Sequence, residues 1–346
     1  MAISRIEIKD FLVFKNVFTA DFCSGVNVLT GGNGTGKTTL MKTLYAFCNM
    51  SSSSKIINSS LEVNQPFIVK RYFTTVSEHV EPSKELNGTL RLFDKDISEE
   101  AVLTIEIDSN LISESVKPFW DNLELLRKWA EKNVQSVYIP EKDLLSNSKG
   151  LPETYEYGKA QYTQCEIDLV KKARILADTP EQPLYKKICS IIDGQPENDG
   201  QSFYMKRNNV SVRIPFSIEA SGYRKFGLLA TLIRNEQIKE NSILFWDEPE
   251  NSLNPELIPV LVDILLELSR NGVQIFIATH SEILASYFSV NQQQEDNVMF
   301  YSLYKDENGQ IKADSNSRFD LLYLNKLTEE PVKLYEKQIE KGLGNG

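Results

Sequence analysis

The sequence predicts an α/β fold with a mixed β-sheet core, an antiparallel β-rich lobe and a mainly helical subdomain. Three observations carry that expectation. Val26-Asn27-Val28-Leu29, Ile243-Leu244-Phe245-Trp246 and Gln274-Ile275-Phe276-Ile277-Ala278 are short, largely apolar runs, and the last two end in polar residues. Buried parallel strands look like this when their C-terminal ends face a ligand. The first run feeds a glycine-rich loop that opens a helix. Between residues 66 and 107, short runs such as Phe67 to Tyr72 and Leu103 to Ile107 alternate apolar and polar residues, as antiparallel strands with one wet face do.

Along the chain, Ile3 to Ile8 alternates like a half-buried strand, and aromatics follow from Phe11 to Phe18. Gly31-Gly32-Asn33-Gly34-Thr35-Gly36-Lys37-Thr38 then satisfies every fixed position of the phosphate-binding P-loop pattern, and Leu40, Leu44 and Phe47 share one face of the helix after it. The chemistry explains the composition. Glycines let backbone N–H groups turn inward on a polyphosphate, and the helix N-terminus adds partial positive charge. Lys37 is expected to reach the β- and γ-phosphates, Thr38 to offer a hydroxyl to Mg²⁺, and Thr39 to add a phosphate contact. The chain is therefore expected to bind ATP or GTP.

Ser51 to Ser54 reads as a linker. Phe119, Leu123, Leu126, Trp129 and Ala130 have helical spacing within 116–132, and Ser136 to Ile139 returns to a strand closed by Pro140. Segments 160–177 and 182–193 read as helices, and Phe203 to Phe216 as a hairpin turning at Asn208-Asn209. Ser221 stands at the expected N-cap of a helix containing Phe226, Leu229, Leu232 and Ile233, and with Gly222 makes an anion-receptive helix end. The spacer has no sustained heptads, which excludes a long coiled coil.

The second apolar strand ends in Asp247-Glu248. Asp247 is expected to hold Mg²⁺, and Glu248 to take a proton from the water that attacks the γ-phosphate. The third leads through Thr279 to His280, one of only two histidines in the chain, which places it among the catalytic candidates.

Composition sets the frame. The chain has 346 residues, 41% of them apolar and 25% charged, long enough for one large or two modest domains with a buried core. No apolar run approaches the roughly 18 residues of a membrane span, and the N-terminus lacks a secretory core, so a cytoplasmic protein is expected. Cys23, Cys48, Cys165 and Cys189 are scattered, which suits reduced thiols. A net charge of −10 opposes a uniformly nucleic-acid-binding surface, although Lys171-Lys172-Ala173-Arg174 and Lys186-Lys187 offer local basic runs.

The order of these motifs resembles the ABC-type ATPase family, in the branch that includes SMC proteins, RecF and the OLD-type ATPases. The resemblance covers about the first 40 residues and about residues 134–290, and Asp247-Glu248-Pro249-Glu250-Asn251-Ser252-Leu253-Asn254-Pro255 is similar to that branch's D-E-P-E-x-x-L-x-P. It implies a P-loop ATPase head over 1–346: a nucleotide-binding core at 1–50 and 195–305, a β-rich lobe at 60–110, a helical insertion at 115–194 and a C-terminal extension at 306–346. It also implies that Glu248 is the catalytic base and His280 the γ-phosphate-sensing switch. Asn251 to Asn254 would form a loop crossing to a second subunit, and Ser221 and Gly222 would contact the γ-phosphate of the opposite subunit. Tyr223-Arg224 stand where the transporter signature L-S-G-G-Q has Gly-Gln, and Glu141 stands in the place of the Q-loop glutamine, where a carboxylate can ligand Mg²⁺.

Mechanistically, the resemblance implies a head-to-tail homodimer with two ATP molecules between the subunits, formed on ATP binding and released on hydrolysis. The leading expectation is an ATPase acting as a nucleotide-gated switch for a protein effector, a nuclease or toxin, in anti-phage defence. The chain carries no recognisable nuclease of its own, and Asp314 and Asp320 read as surface residues. The alternatives are a DNA-repair clamp, the ATP-binding subunit of a transporter, and a scaffold that uses ATP as structural glue.

Overall fold

The computed structural model describes residues 3–51, 88–107, 123–156, 162–176, 182–323 and 326–343. The expected strand Phe67 to Tyr72, the linker beyond Ser51 and residues 116–122 of the expected helix lie outside them.

A six-stranded mixed sheet forms the centre. It comprises β3 (Val26–Gly31), β6 (Ser136–Ile139), β10 (Ile243–Asp247), β11 (Gln274–Ala278), β12 (Val298–Lys305) and β13 (Ile311–Asn316), in the order β13-β12-β3-β11-β10-β6. All neighbours are parallel except β12 and β13. Every residue of β3, β6, β10 and β11 is buried, which is why these strands read as apolar runs rather than alternating ones.

Side chains still alternate between the two faces. Val28, Leu244, Trp246, Ile275 and Ile277 join one core, and Leu29, Phe245, Phe276 and Ala278 join the other. The first core is closed by α4 (Gln164–Ala173), α5 (Pro183–Ile191), α6 (Ser221–Arg234), α7 (Ile258–Arg270) and α8 (Glu282–Asn291). The second is closed by α1 (Lys37–Ser51) and by a separate antiparallel sheet. Phe245 stacks on Phe276 with ring centroids 5.0 Å apart, and Phe22 meets Phe276 edge-on at 5.0 Å. Truncating a buried ring of this kind to Ala costs about 3–5 kcal/mol.

The antiparallel sheet has the order β2-β1-β4-β5, from β1 (Arg5–Phe11), β2 (Phe14–Asp21), β4 (Gly88–Phe93) and β5 (Ala101–Ile107). The expected division of the chain differs from this on three points. β1 pairs with β4, Ile6 opposite Leu92, so the first 21 residues belong to the β-lobe rather than beside β3. β6 lies inside the stretch assigned to a helical insertion but is an edge strand of the central sheet. β13, in the expected C-terminal extension, completes that sheet on its other edge. The first two are pairings between segments distant in sequence, which no local pattern encodes, whereas β13 turns back on β12 through the short turn from Asp306 to Gln310.

Helical readings hold for α2 (Leu123–Glu131), α4 and α5, with α3 (Leu151–Glu156) added before α4. The hairpin expected over Phe203 to Phe216 is β8 (Phe203–Arg207) against β9 (Ile214–Pro215). β7 (Gly194–Asn198) pairs on the other side of β8, making a small three-stranded sheet. The last helix, α9 (Lys326–Leu343), follows β13. No helix among the described residues is long and apolar enough to cross a membrane. Cys48 and Cys165 are buried free thiols, whereas the free thiols of Cys23 and Cys189 are partly exposed.

Candidate functional site

Sheet register brings the four site segments to one edge. Asp247 lies opposite Ala278, and Ala278 opposite Leu29, so β3, β10 and β11 end together. Ile139 pairs with Trp246, which puts Glu141 beside the same edge. The P-loop, the Asp247-Glu248 pair, Thr279-His280 and Glu141 are thus gathered from opposite ends of the chain. The crevice beyond strand C-termini is where open α/β sheets hold ligands.

The loop geometry requires its glycines. Gly31, Gly34 and Gly36 have φ of +137°, +72° and +90°, values an L side chain rarely adopts. A Cβ on Gly36 would lie 2.7 Å from Cζ of Phe14, so the antiparallel sheet presses directly on the loop. Lys37, only 6% exposed, donates from Nζ to the carbonyls of Gly31 at 3.0 Å and Gly32 at 3.2 Å, and Thr35 Oγ1 donates to Gly32 at 2.8 Å. Burial lowers the Lys37 pKa, while Asp247 and Glu248 oppose that shift.

Thr38 Oγ1 donates to Asp247 Oδ2 at 2.9 Å, and the buried Tyr138 hydroxyl donates to the same oxygen at 3.1 Å. Burial raises the Asp247 pKa against those two donors. The donor set is hydroxyl and carboxylate oxygen, the hard kind that suits Mg²⁺ rather than a thiophilic metal. Among the described residues no group of three or more His, Cys, Asp and Glu is placed to hold a metal alone.

Glu248 has φ +46°, an uncommon conformation for a non-glycine residue. Two contacts hold it: its N–H donates to Ala278 O at 2.8 Å, and Lys225 Nζ reaches its carbonyl at 3.3 Å. His280 Nε2 stands 3.5 Å from Glu248 Oε1. Burial raises the Glu248 pKa, and Glu141, Glu250 and Asp247 raise it further. Burial and the Lys37 charge lower the His280 pKa, favouring the neutral imidazole. Glu141 is exposed and accepts from Asn251 Nδ2 at 2.5 Å, which ties the segment after β6 to the loop after β10.

Ser221 corrects one expectation. The N-cap of α6 is Ala220, in extended backbone, and Ser221 is the first residue of the helix. Its hydroxyl donates to Ser252 O at 2.7 Å, joining the helix to the Asn251–Asn254 loop of the same chain. Gly222 is buried, and a Cβ there would meet Leu253 Cδ1 at 3.1 Å. The residues that depart from the transporter signature are engaged within the chain: Arg224 Nε lies 2.7 Å from Asp143 Oδ2, and the Arg207 guanidinium covers the Tyr223 ring at 4.5 Å.

Sequence reasoning gave no role to Lys225, Tyr138 or Glu250. Lys225 was legible only as the charge one residue past Arg224. It donates to Pro249 O at 2.9 Å, and burial pushes its pKa down to about 8. Tyr138 sat unremarked inside an apolar strand.

The basic runs do not assemble into a free patch. Lys171 pairs with Glu156 at 2.7 Å, Arg174 with Glu153 at 3.1 Å and Lys187 with Glu267 at 2.6 Å. Lys172 lies over the Tyr45 ring at 5.3 Å and donates to the Ser136 carbonyl. Asp314 and Asp320 are likewise occupied, accepting from Tyr323 N and pairing with Arg318.

Comparison with known proteins places this geometry. Residues 26–286 match the family model AAA_21, described as "AAA domain, putative AbiEii toxin, Type IV TA system". Among solved structures, an SMC head bound to the C-winged helix domain of ScpA is similar over 92% of this chain and 99% of its own, at 14% identity and a TM-score of 0.52. An SMC head domain with an extended coiled coil, bound to the C-terminal domain of ScpA derived from Pyrococcus furiosus, is similar over 97% and 98%, at 14% identity and a TM-score of 0.50. No curated protein matches the chain. With a family match running from β3 into α8, the chain belongs to the AAA_21 family, and its fold is that of an SMC-type P-loop ATPase head.

Proposed function

We propose that the protein binds and hydrolyses ATP and works as a nucleotide-gated homodimeric switch that controls a partner effector. The observation that carries the proposal is the convergence at one sheet edge of Lys37 and Thr38 with Asp247, Glu248 and His280.

In this reading the loop N–H groups and Lys37 bind the β- and γ-phosphates of ATP, with Thr39 as a further contact. Thr38 and Asp247 hold Mg²⁺, with Glu141 reaching the same shell. Held by these residues, the ion would supply positive charge against the negative charge that develops during phosphoryl transfer. Glu248 orients the attacking water and takes its proton, and its raised pKa brings it closer to working pH than an ordinary carboxylate. His280, kept neutral by burial beside Lys37, donates to the γ-phosphate and aligns Glu248.

The placement of α6 supports the dimer. Ser221 starts that helix beside Ser252, so the helix end and the Asn251–Asn254 loop form one unit that can close on the nucleotide of a second copy. The family description names a toxin and a Type IV TA system, which supports a toxin as the partner effector. Both similar SMC heads were solved with a domain of ScpA, which supports a head that carries a protein partner. Against the DNA-clamp reading, Lys171, Arg174 and Lys187 of the basic runs are paired with carboxylates within the chain.

Phosphate release tests the enzymatic half. Wild type is expected to turn over ATP with Mg²⁺, and Glu248→Gln to lose at least about 100-fold of that rate while still binding ATP. Equal turnover in the two proteins removes Glu248 as the base.

A further inference from the structure

Glu250 lies two residues beyond the proposed base and makes a contact that no step above uses. Its Oε1 accepts a 2.5 Å hydrogen bond from Thr279 Oγ1. Thr279 has no exposed surface and is fixed independently on two sides. Its N–H donates to Leu29 O, at the end of β3, at 3.0 Å. Its hydroxyl also accepts from Ser281 N at 2.9 Å, and the Ser281 hydroxyl in turn accepts from Leu284 N at 3.2 Å, capping α8. His280 stands between these two anchored residues.

The loop after β10 is therefore stitched to the end of β11 at two points. One is the backbone bond from Glu248 N to Ala278 O. A single hydrogen bond leaves rotation about itself free, and Glu248 is already in an uncommon backbone conformation at φ +46°. The Glu250–Thr279 bond, two residues along one strand end and one along the other, removes that rotation. With both in place, His280 Nε2 sits 3.5 Å from Glu248 Oε1.

The arrangement is not what stability alone would select. Glu250 Oε2 is buried and takes no well-aligned hydrogen bond among the described residues, a condition that costs free energy. Burial raises the Glu250 pKa, against the pull of Thr279, of nearby backbone N–H groups and of the Lys225 charge. An apolar residue would avoid that cost and give up the clasp on Thr279 together with the charge that faces Lys225.

We propose that Glu250 is a positioning residue whose clasp on Thr279 sets the alignment of Glu248 with His280. The proposal rests on the reading of Glu248 as the base and deepens it.

The test compares Glu250→Ala, Glu250→Gln, Thr279→Val and the Glu250→Ala/Thr279→Val pair. Measurements are kcat for phosphate release, ATP–Mg²⁺ affinity without turnover, and the ¹³C-imidazole resonance of His280. The last is assignable because His79 is the only other histidine in the chain. Glu250→Ala and Thr279→Val are each expected to lower kcat by about 10- to 100-fold, the scale of a misplaced group, with affinity within about threefold of wild type. The double variant is expected to be no worse than the poorer single one, since both remove one bond. Glu250→Gln, which keeps an acceptor for Thr279, is expected to recover most of the rate, and Glu250→Ala to displace the His280 resonance.

Wild-type kcat in both single variants, additive losses, or a Gln variant as poor as Ala would overturn the proposal. If wild type does not hydrolyse ATP, the base reading of Glu248 falls, and the His280 resonance alone decides the clasp. A resonance unmoved in Glu250→Ala overturns it. Should Glu250→Ala fail to fold, Thr279→Val and Glu250→Gln carry the same comparison.

Discussion

Thr38 and Asp247 are 209 positions apart in sequence and share a 2.9 Å hydrogen bond. That bond joins the first residue after the P-loop lysine, in the first turn of α1, to the last residue of β10, so the helix that follows β3 is tied to a strand that β11 separates from β3 in the sheet. The consequences below start from this junction.

Lys37→Ala is expected to weaken ATP binding by at least about 100-fold, because the lysine is the charge that reaches the β- and γ-phosphates. It should also abolish the ATP-induced rise in melting temperature that ligand linkage produces. Isothermal titration and a thermal melt with and without ATP check both, and normal affinity in the variant removes the loop as the nucleotide site.

Tyr138→Phe deletes one of the two hydroxyl donors on Asp247 Oδ2 while keeping the ring that packs 5.7 Å from Tyr45. Partners of this kind orient metal-binding carboxylates, and losing one typically weakens metal affinity by about 10-fold or more. A Mg²⁺ titration of ATPase activity should show the half-saturating concentration rising with little change in the plateau. A fall in plateau alone would mean that Tyr138 acts on something other than the metal carboxylate.

Much of this site is legible in the sequence because buried parallel strands carry unbroken apolar runs, and Gly31 to Thr38, Asp247-Glu248 and His280 sit at the ends of such runs. The register that aligns those ends is not legible, since any of the buried strands pairs with any other by apolar pattern alone. The pairing of β1 with β4 is hidden for the same reason. Ser221 carried a genuine N-cap signal, but Ala220 takes the extended backbone and the serine hydroxyl goes instead to Ser252 O. Glu250 reads as one more loop carboxylate until its contact with Thr279, 29 positions on, is seen.

Lys225 gives a pH signature. Its pKa is pushed down to about 8 by burial, from about 10.4 in an unfolded chain. Below pH 8 the lysine is protonated in both states, and the cost of burying its charge is fully present. Between pH 8 and about 10 the unfolded chain binds the extra proton, so this group makes stability rise with pH. Urea unfolding of wild type and Lys225→Met at pH 7.5 and 9.5 isolates the effect, with wild type gaining on the variant at the higher pH. A difference that is constant or moves the other way contradicts the buried ammonium.

Asp168 gathers donors from α1 and α4. Tyr45 OH and Asn49 Nδ2 reach Oδ2 at 3.0 Å each, and Gln164 Nε2 reaches Oδ1 at 2.6 Å. Its charge also supports the enclosed Lys172 ammonium, whose pKa burial lowers. Asp168→Ala is expected to cost about 1–3 kcal/mol, because it removes the carboxylate that supports Lys172 and accepts from Tyr45, Asn49 and Gln164. Denaturant unfolding measures the loss, and a change below about 0.5 kcal/mol would show that the network is solvated rather than structural.

The central claim is that ATP joins two copies of this chain and that hydrolysis through Glu248 separates them. The most direct measurement is the solution mass of wild type and Glu248→Gln with and without ATP–Mg²⁺, with phosphate release recorded on the same samples. The account predicts monomers without nucleotide, a stable dimer of Glu248→Gln with ATP, and a wild-type dimer that dissolves as phosphate appears. A mass that stays constant in all four samples, without turnover, would contradict both the switch and the role of Ser221 across the dimer.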